Sequence, residues 1–162
     1  MPEPTAGRPY MPGYGITPSG ESEGVLAWGW AVERLTKAHN YWIATGGRGA
    51  APQLTAVWGV WLDGAFYFSC AATSRKARNL AEDPRCAIST ERADEAVIVE
   101  GIAELVADQA LLEQFKAAYD PKYNWEIEID KGGIFVVRPA VAFAFIEDSN
   151  QFESTATRWT FA

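Results

Sequence analysis

A cluster of cations follows a helix-capping serine near the middle of the chain. Ser74 is a favoured residue type for the start of a helix, and Arg75, Lys76 and Arg78 lie on the turns that follow. The first N–H groups of a helix lack partners within it, and the helix dipole adds partial positive charge there. This helix start is therefore suited to binding a phosphate. The alternative is that Ser74 only caps the helix and the three cations form a solvated face.

Two predicted strands and a tight turn lead into this helix. Leu54 to Leu62 is a long apolar and β-branched run, which predicts a strand. Asp63-Gly64 predicts a two-residue hairpin turn, because both of its central positions require positive φ. Ala65 to Cys70 predicts the returning strand. After the helix, which Asp83-Pro84 ends, Cys86 to Thr90 predicts a further strand.

Alternation along the run from Leu54 to Leu62 separates two faces. The more apolar face is predicted to point into the interior, and it consists of Leu54, Ala56, Trp58, Val60 and Leu62. The other face is mixed, and Gly59 within it permits the close approach of a flat ring or of another backbone. The alternative is that the polar members of this second face, Gln53 and Thr55, are simply exposed to solvent.

The remaining sequence predicts two more helices and several strands. The helices run from a cap at Ser22, with Glu23 in the first turn, to about Lys37, and from a cap at Asp108 to about Tyr119, closed by Pro121. Tyr123 to Asp130 is compatible with a half-buried strand or with irregular structure. The other predicted strands are Tyr41 to Thr45, Ala96 to Val106 with a bend near Gly101, Ile134 to Arg138, and Val141 to Ile146 beyond a break at Pro139.

Composition limits the possible functions. The chain has 162 residues, which is the size of one domain, and a net charge of −7, which argues against nucleic acid or an anionic membrane as the main partner. No apolar run approaches the ~20 residues of a membrane span, and no signal segment is recognisable, so a cytoplasmic protein is expected. Cys70, Cys86 and the single His39 are too few for a zinc-finger-type site, and no Ser-His-Asp arrangement is visible.

The order of these signals resembles a known family. A strand, an Asp-Gly turn, an aromatic strand, Ser-Arg-Lys-Ala-Arg-Asn-Leu and then Asp-Pro-Arg are similar to the split β-barrel flavin and deazaflavin oxidoreductases, the pyridoxamine-phosphate-oxidase-like proteins. The resemblance covers roughly Asn40 to Phe145, with a family-like ending at Thr157-Arg158-Trp159. It implies a mainly β (α+β) fold, a six- to seven-stranded antiparallel split β-barrel with a few flanking helices. It also implies a homodimer.

On this resemblance the chain divides into three parts. Residues 1–20, rich in proline and glycine, are expected to form a flexible arm without regular structure. Residues 21–147 form the cofactor-binding barrel, and residues 148–162 form a C-terminal tail or lid. The resemblance further places the cofactor at the dimer interface.

The resemblance also assigns site residues. The cofactor phosphate is expected to bind Ser74, Lys76 and Asn79, with support from Arg75 or Arg78, and the ring to lie against Thr55, Ala56, Val57 and Trp58. The substrate side is expected to involve Trp30, Arg158 and Trp159. No catalytic side chain is assigned, since an enzyme whose cofactor carries the hydride needs mainly binding and orientation from the protein.

Two cofactors fit these residues, FMN and the deazaflavin F420. F420 carries a polyglutamate tail that requires a basic groove. The sequence Ser-Arg-Lys-Ala-Arg-Asn-Leu also resembles the deazaflavin-associated branch of the family more closely, so F420 is preferred. The expected function is hydride transfer to or from a small organic substrate. The alternatives are a non-catalytic carrier or sensor, an FMN oxidase, or a barrel with an empty site; Arg158 is followed by Trp159 and Thr160 rather than completing the Arg-x-His element of the oxidases. The candidate residues for the groove are Arg48, Arg75, Lys76, Arg78 and Arg85.

Overall fold

The computed structural model describes residues 3–18, 23–47, 49 and 51–162. Ser22 and Arg48 lie outside the described residues. The strands of the described part are β1 (Thr5–Gly7), β2 (Tyr41–Thr45), β3 (Gln53–Val57), β4 (Gly59–Leu62), β5 (Ala65–Ser69), β6 (Arg85–Thr90), β7 (Glu95–Leu105), β8 (Ile134–Ile146) and β9 (Thr157–Thr160). The α-helices are α1 (Trp28–Lys37), α2 (Arg75–Glu82), α3 (Gln109–Tyr123) and α4 (Phe152–Thr155). Short 3₁₀ turns occur at Pro12–Tyr14 and Ile129–Lys131.

The strands form one antiparallel sheet that curls without closing. Its order is β1-β9-β8-β7-β6-β2-β3, and a branch continues from β8 through β5 to β4. β3 and β4 therefore lie at opposite ends of the curled sheet, although only Trp58 separates them in the chain. The opening between these two strands is the split of the barrel, and the predicted split β-barrel fold is confirmed.

The single strand predicted from Leu54 to Leu62 is two strands, and its faces are reversed. Leu54 is 63% exposed, whereas Val57 and Trp61 are buried in the main core. The apolar residues predicted to face the interior lie on the outer face of the barrel. There α3 covers Val60 but leaves Leu54 uncovered. Alternation thus identified two faces, but hydrophobicity alone did not show which face the helix covers.

Two apolar cores lie on opposite sides of the branch that contains β4 and β5. Inside the barrel, Phe66 and Phe68 of β5 are fully buried with the helix residue Leu35. Outside it, Tyr67 of β5 packs with Phe115 of α3 in a second cluster. The Asp63-Gly64 turn that joins these strands has φ values of 48° and 81°, which confirms the predicted hairpin.

The N-terminal segment is more regular than predicted. β1 pairs with β9 at the edge of the sheet, and the guanidinium of Arg8 links the N-terminal segment to the residues that precede β9. Arg8 donates to the carbonyl oxygens of Ser154 at 2.6 Å and Glu153 at 3.0 Å, and also to that of Glu23. Glu23 lies in a turn, so the helix predicted from Ser22 begins only at Trp28.

Two prolines interrupt less structure than predicted. Pro121 lies inside α3, which continues to Tyr123 and ends at the left-handed Asn124 (φ 48°), so the segment that follows is irregular rather than a strand. Pro139 lies within β8, where the pairing shifts at Gly101 in a bulge. The bend predicted near Gly101 is confirmed, and a Cβ there would lie 2.2 Å from the carbonyl oxygen of Arg138. The bulge accommodates Pro139 because the regular ladder is interrupted there.

The first testable prediction concerns Gly59, at the start of β4. A Cβ there would lie 2.3 Å from Cζ of Phe66 and 2.6 Å from the carbonyl oxygen of Tyr67. We expect Gly59→Ala to lower the free energy of unfolding by ~1–3 kcal/mol, because a fully buried ring must move. Urea denaturation measures the change. Gly29→Ala is the control, since Gly29 lies in α1 with open space around it and should be neutral or slightly stabilising. Equal effects of the two substitutions would contradict the prediction.

Candidate functional site

An open cleft of about 430 Å³ lies beside the split of the barrel. It brings together residues from the end of β3, the end of β5 and the first turn of α2, which are distant in sequence. Three of the four residues predicted to contact a ring and one predicted phosphate ligand are among its walls. The lining residues are Asn40, Ala56, Val57, Trp58, Ser69, Cys70, Lys76 and Tyr119.

The start of α2 supplies the positive charge of the cleft. The hydroxyl oxygen of Ser74 accepts a hydrogen bond from the N–H of Ala77 at 3.1 Å, so Ser74 caps the helix as predicted. Lys76 is half-buried and lines the cleft, and its ammonium makes no hydrogen bond or ion pair with any residue in the described ranges. An unpaired cation beside a helix N-terminus is suited to an anionic ligand.

The exposed edge of β3 supplies polar backbone groups. Within the described part of the chain β3 pairs with β2 on one side only, so its other edge presents backbone N–H and C=O groups that no described strand uses. The hydroxyl of Thr55 on this strand is buried and, among the described residues, has no hydrogen-bond partner. Such groups match the polar rim of a flat heterocycle. This environment and the unpaired Lys76 fit a phosphate-bearing ring cofactor.

The other predicted phosphate ligands are engaged elsewhere. The guanidinium of Arg75 donates to the carbonyl oxygen of Ala51 at 2.8 Å, and that of Arg78 to the carbonyl oxygen of Thr73 at 2.6 Å. Both side chains are exposed, so a stronger acceptor can replace these carbonyls. Arg85, proposed for a basic groove, is instead paired with Asp83 at 2.6 Å.

Asn79 differs most in its surroundings from the other residues predicted to bind the phosphate. It is buried, and its Nδ2 atom donates to the hydroxyl oxygen of Thr45 at 3.1 Å and lies 3.5 Å from the side-chain oxygen of Gln53. The amide therefore fixes α2 against β2 and β3. Sequence spacing placed Asn79 one turn from Lys76, but it did not show that the helix turns this side chain toward the sheet.

Trp58 forms an aromatic wall of the cleft. Its ring is 39% exposed, and it stacks on Tyr123 with ring centroids 4.6 Å apart and planes 9° apart. The rings of Tyr119 and His39 lie near its edges, each with its centroid 6.4 Å away. Trp58 thus presents an accessible aromatic surface that is supported from behind by α3.

Polar side chains from α3 hold the backbone behind Trp58. The hydroxyl of Tyr123 accepts a hydrogen bond from the N–H of Gly59 at 2.9 Å, and the ammonium of Lys122 donates to the carbonyl oxygen of Gly59 at 2.9 Å. Lys122 also donates to the hydroxyl of Tyr41 at 2.9 Å, which in turn donates to the carbonyl of Leu35. These side chains satisfy the backbone where the sheet splits.

Burial changes the pKa values of Lys122 and Tyr123. It lowers the pKa of Lys122 to about 8, although the Glu91 carboxylate acts in the opposite direction. Burial also raises the pKa of Tyr123 to about 12. Sequence reasoning missed Lys122 and Tyr123; the spacing of four residues between Tyr119 and Tyr123 is the signal for one aromatic face of α3.

The residues predicted for the substrate side do not converge on the cleft. Trp159 is fully buried, and the centroid of its ring lies 5.2 Å from that of Trp28. Its segment is strand β9 inside the sheet rather than a lid. Trp30 on α1 stacks with the guanidinium of Arg34 at 3.5 Å. Arg158 donates to the hydroxyl of Thr160 and borders a different groove, on the outer sheet face. The C-terminal lid and the role given to Trp159 are therefore corrected.

The cysteines differ in their surroundings. Cys70 lines the cleft, and Cys86 is buried in the core, where burial raises its pKa to about 12. Within residues 3–18, 23–47, 49 and 51–162, no three histidine, cysteine or acidic side chains group as metal ligands. None of the helices in that part of the chain is long and apolar enough to cross a membrane.

The second testable prediction concerns the hydroxyl of Tyr123. Tyr123→Phe leaves the buried N–H of Gly59 without its partner, so we expect the free energy of unfolding to fall by about 1–3 kcal/mol. Tyr119→Phe is the control, because the hydroxyl of Tyr119, one turn earlier, has no hydrogen-bond partner among the described residues. Chemical denaturation compares the two. A loss for Tyr119→Phe as large as that for Tyr123→Phe would refute the assigned role.

Similar folds are found among solved structures. A conserved hypothetical protein, Rv2991, from Mycobacterium tuberculosis superposes with a TM-score of 0.68 at 22% identity, over 82% of this chain and 91% of that one. A structure titled F420 reductase superposes with a TM-score of 0.56 at 24% identity, over 68% of this chain and 93% of that one. HutZ, the heme storage protein of Vibrio cholerae, gives 0.55 at 18% identity, over 66% and 85%. At these identities the likeness establishes the fold.

Sequence comparison establishes the family. No curated protein is similar enough to count as a match. The sequence model of the family described as pyridoxamine 5′-phosphate oxidase matches residues 31–149, which is most of the chain and includes β2 through β8. The chain belongs to the pyridoxamine 5′-phosphate oxidase family.

Proposed function

We propose that this protein is an oxidoreductase that binds F420, or else FMN, in the cleft beside the barrel split and transfers a hydride to or from a small organic substrate. The observation that carries the proposal is the convergence of three features on one cleft. These are the ammonium of Lys76, which has no partner among the described residues, the edge of β3 that pairs with no strand in the described ranges, and the exposed ring of Trp58. Together they match the phosphate, the polar rim and the aromatic face of such a cofactor.

Each element has one role in this proposal. Lys76 and the first turn of α2 neutralise the phosphate, since both place positive charge at the same point. The edge of β3 from Thr55 to Val57 orients the ring through its backbone groups, and Trp58 contacts the ring. When bound, the cofactor supplies the hydride donor or acceptor, so the cleft requires no acid–base pair.

F420 is favoured over FMN by charge. Arg75 and Arg78 lie exposed near the phosphate site, where they are available to the carboxylates of a polyglutamate tail. In a chain of net charge −7, cations concentrated in this way favour an anionic ligand. The similarity to a structure titled F420 reductase supports this choice. Arg85 is also exposed, but its pairing with Asp83 offsets its charge, so it contributes less to this concentration of cations.

We also propose that two copies of the chain associate through the outer face of the sheet. Trp42 and Leu54 lie on neighbouring strands of this face and are 45% and 63% exposed. The partly buried Ile98 and Phe143 continue the apolar surface across β7 and β8. A second copy would bury this surface and enclose the open side of the cleft.

The third prediction tests this association. Leu54→Glu places a charge in the apolar face, so we expect it to convert a dimer into a monomer in analytical ultracentrifugation. Leu105→Glu is the control, because Leu105 is equally exposed (65%) but lies at the far end of β7. A wild-type protein that sediments as a monomer would contradict the proposed association.

The fourth prediction tests the cofactor site. Lys76→Ala removes a charge-assisted contact, so we expect the affinity for F420 or FMN to fall about 10- to 100-fold, as measured by fluorescence titration. Lys37→Ala makes the same change in net charge on the exposed surface of α1, where Lys37 pairs with Glu33, and should leave the affinity unchanged. Equal affinities of wild type and Lys76→Ala would overturn the assignment.

The cofactor titration also discriminates among functions. Substrate-dependent reoxidation of the reduced cofactor indicates an enzyme, whereas tight binding without turnover indicates a carrier or sensor. Similarity to a heme storage protein makes heme a necessary third ligand in the titration. His39 is exposed beside Trp58, so His39→Gln should abolish a heme spectrum if that residue is the axial ligand. Binding of heme alone would replace the proposed function.

A further inference from the structure

Lys122 does not line the cleft, yet it is bonded to the backbone of the cleft wall. Its ammonium donates to the carbonyl oxygen of Gly59, the residue that follows Trp58, at 2.9 Å. The ammonium also lies 4.8 Å from the centroid of the Tyr41 ring and 5.4 Å from that of Tyr123. One cation therefore contacts the strand that continues from Trp58 and the ring that supports it.

Tyr123 completes the connection to Trp58. Its hydroxyl accepts from the N–H of Gly59 at 2.9 Å, and its ring lies flat against Trp58 with a separation of 4.6 Å. Lys122 and Tyr123 are adjacent in the last turn of α3. Any displacement of Lys122 thus acts on both the backbone after Trp58 and the back of its ring.

We infer that Lys122 is a positioning residue. Through the carbonyl of Gly59 and the rings of Tyr41 and Tyr123, its ammonium sets the position of Trp58 in the cleft, and loss of its proton changes that position. The consequence for ligand affinity rests on the proposed function. The position of Trp58 itself can be measured without any ligand.

The surroundings of Lys122 place its titration in an accessible range. Desolvation lowers the pKa of Lys122 to about 8. The neutral amine keeps two N–H donors, but it loses the charge that strengthens the bond to the carbonyl and attracts the ring faces. Burial raises the pKa values of the neighbouring tyrosines, so their hydroxyls stay protonated in this range. Tyr41 of β2 and Tyr123 of α3 contact the ammonium, and Glu91 after β6 acts on it through its charge, whereas Tyr119 of α3 and His39 before β2 pack against the ring of Tyr123.

Fluorine NMR of protein labelled with 5-fluorotryptophan tests the inference. The sequence contains seven tryptophans, and Trp58→Phe assigns the resonance of Trp58. We expect that resonance to shift with a midpoint near pH 8 in the wild type. In Lys122→Arg, which keeps the charge but does not titrate in this range, the resonance should stay at its low-pH position.

A matched control and a second readout make the outcome decisive. Lys116→Met should keep the transition. Lys116 is also a lysine of α3 whose ammonium donates to a backbone carbonyl, that of Ile127, but it does so away from the cleft. A wild-type resonance that does not titrate, or a transition that persists in Lys122→Arg, would overturn the inference. If His39→Gln abolishes the transition, the transition belongs to the imidazole, and the inference is overturned as well.

Affinity provides the link to function. With FMN or F420 as the probe, we expect wild-type affinity to weaken about threefold between neutral pH and about pH 9, and the affinity of Lys122→Arg to stay constant. A pH dependence that is identical in the two proteins would contradict the role of Lys122 in binding. If neither compound binds the wild type, the proposed function fails, while the fluorine resonance still decides the positioning role.

Discussion

The backbone of Gly59, where the barrel splits, is the point on which the rest of the structure depends. The chain leaves β3, passes Trp58 and enters β4 on the opposite end of the curled sheet. Gly59 is required there because the ring of Phe66 leaves no space for a side chain. Its N–H and C=O groups are satisfied by Tyr123 and Lys122, so α3 replaces the missing neighbouring strand.

The split that requires this support also creates the cleft. A closed barrel would pair the free edge of β3 and cover Trp58, whereas the open sheet leaves both accessible. The hairpin of β4 and β5 then delivers the start of α2, with Lys76, to the same opening. The cleft is thus a direct result of incomplete closure rather than of a specialised loop, and the elements that stabilise the fold also form its walls.

The candidate site residues show what a sequence pattern can and cannot specify. Lys76 lies in the first turn of the helix that Ser74 caps, and this local pattern was enough to single it out as a candidate phosphate ligand that the structure places in the cleft wall. Asn79 belongs to the same pattern, yet it binds Thr45 because the rotation of α2 against the sheet decides where each side chain points. Trp159 looked like a mobile aromatic residue, but pairing of β9 with β8 places it in the core.

The sequence by itself determined the hairpin at Asp63-Gly64, the cap at Ser74 and the bend at Gly101, because each depends on the conformational preference of a few adjacent residues. The resemblance of its motifs to a known family also predicted the split-barrel fold. Only the tertiary structure decided which face of the strands from Leu54 to Leu62 is inside, since that depends on where α3 packs. It also decided the roles of Lys122 and Tyr123, because their partners on β2 and β4 are far away in the chain and meet them only when the barrel curls.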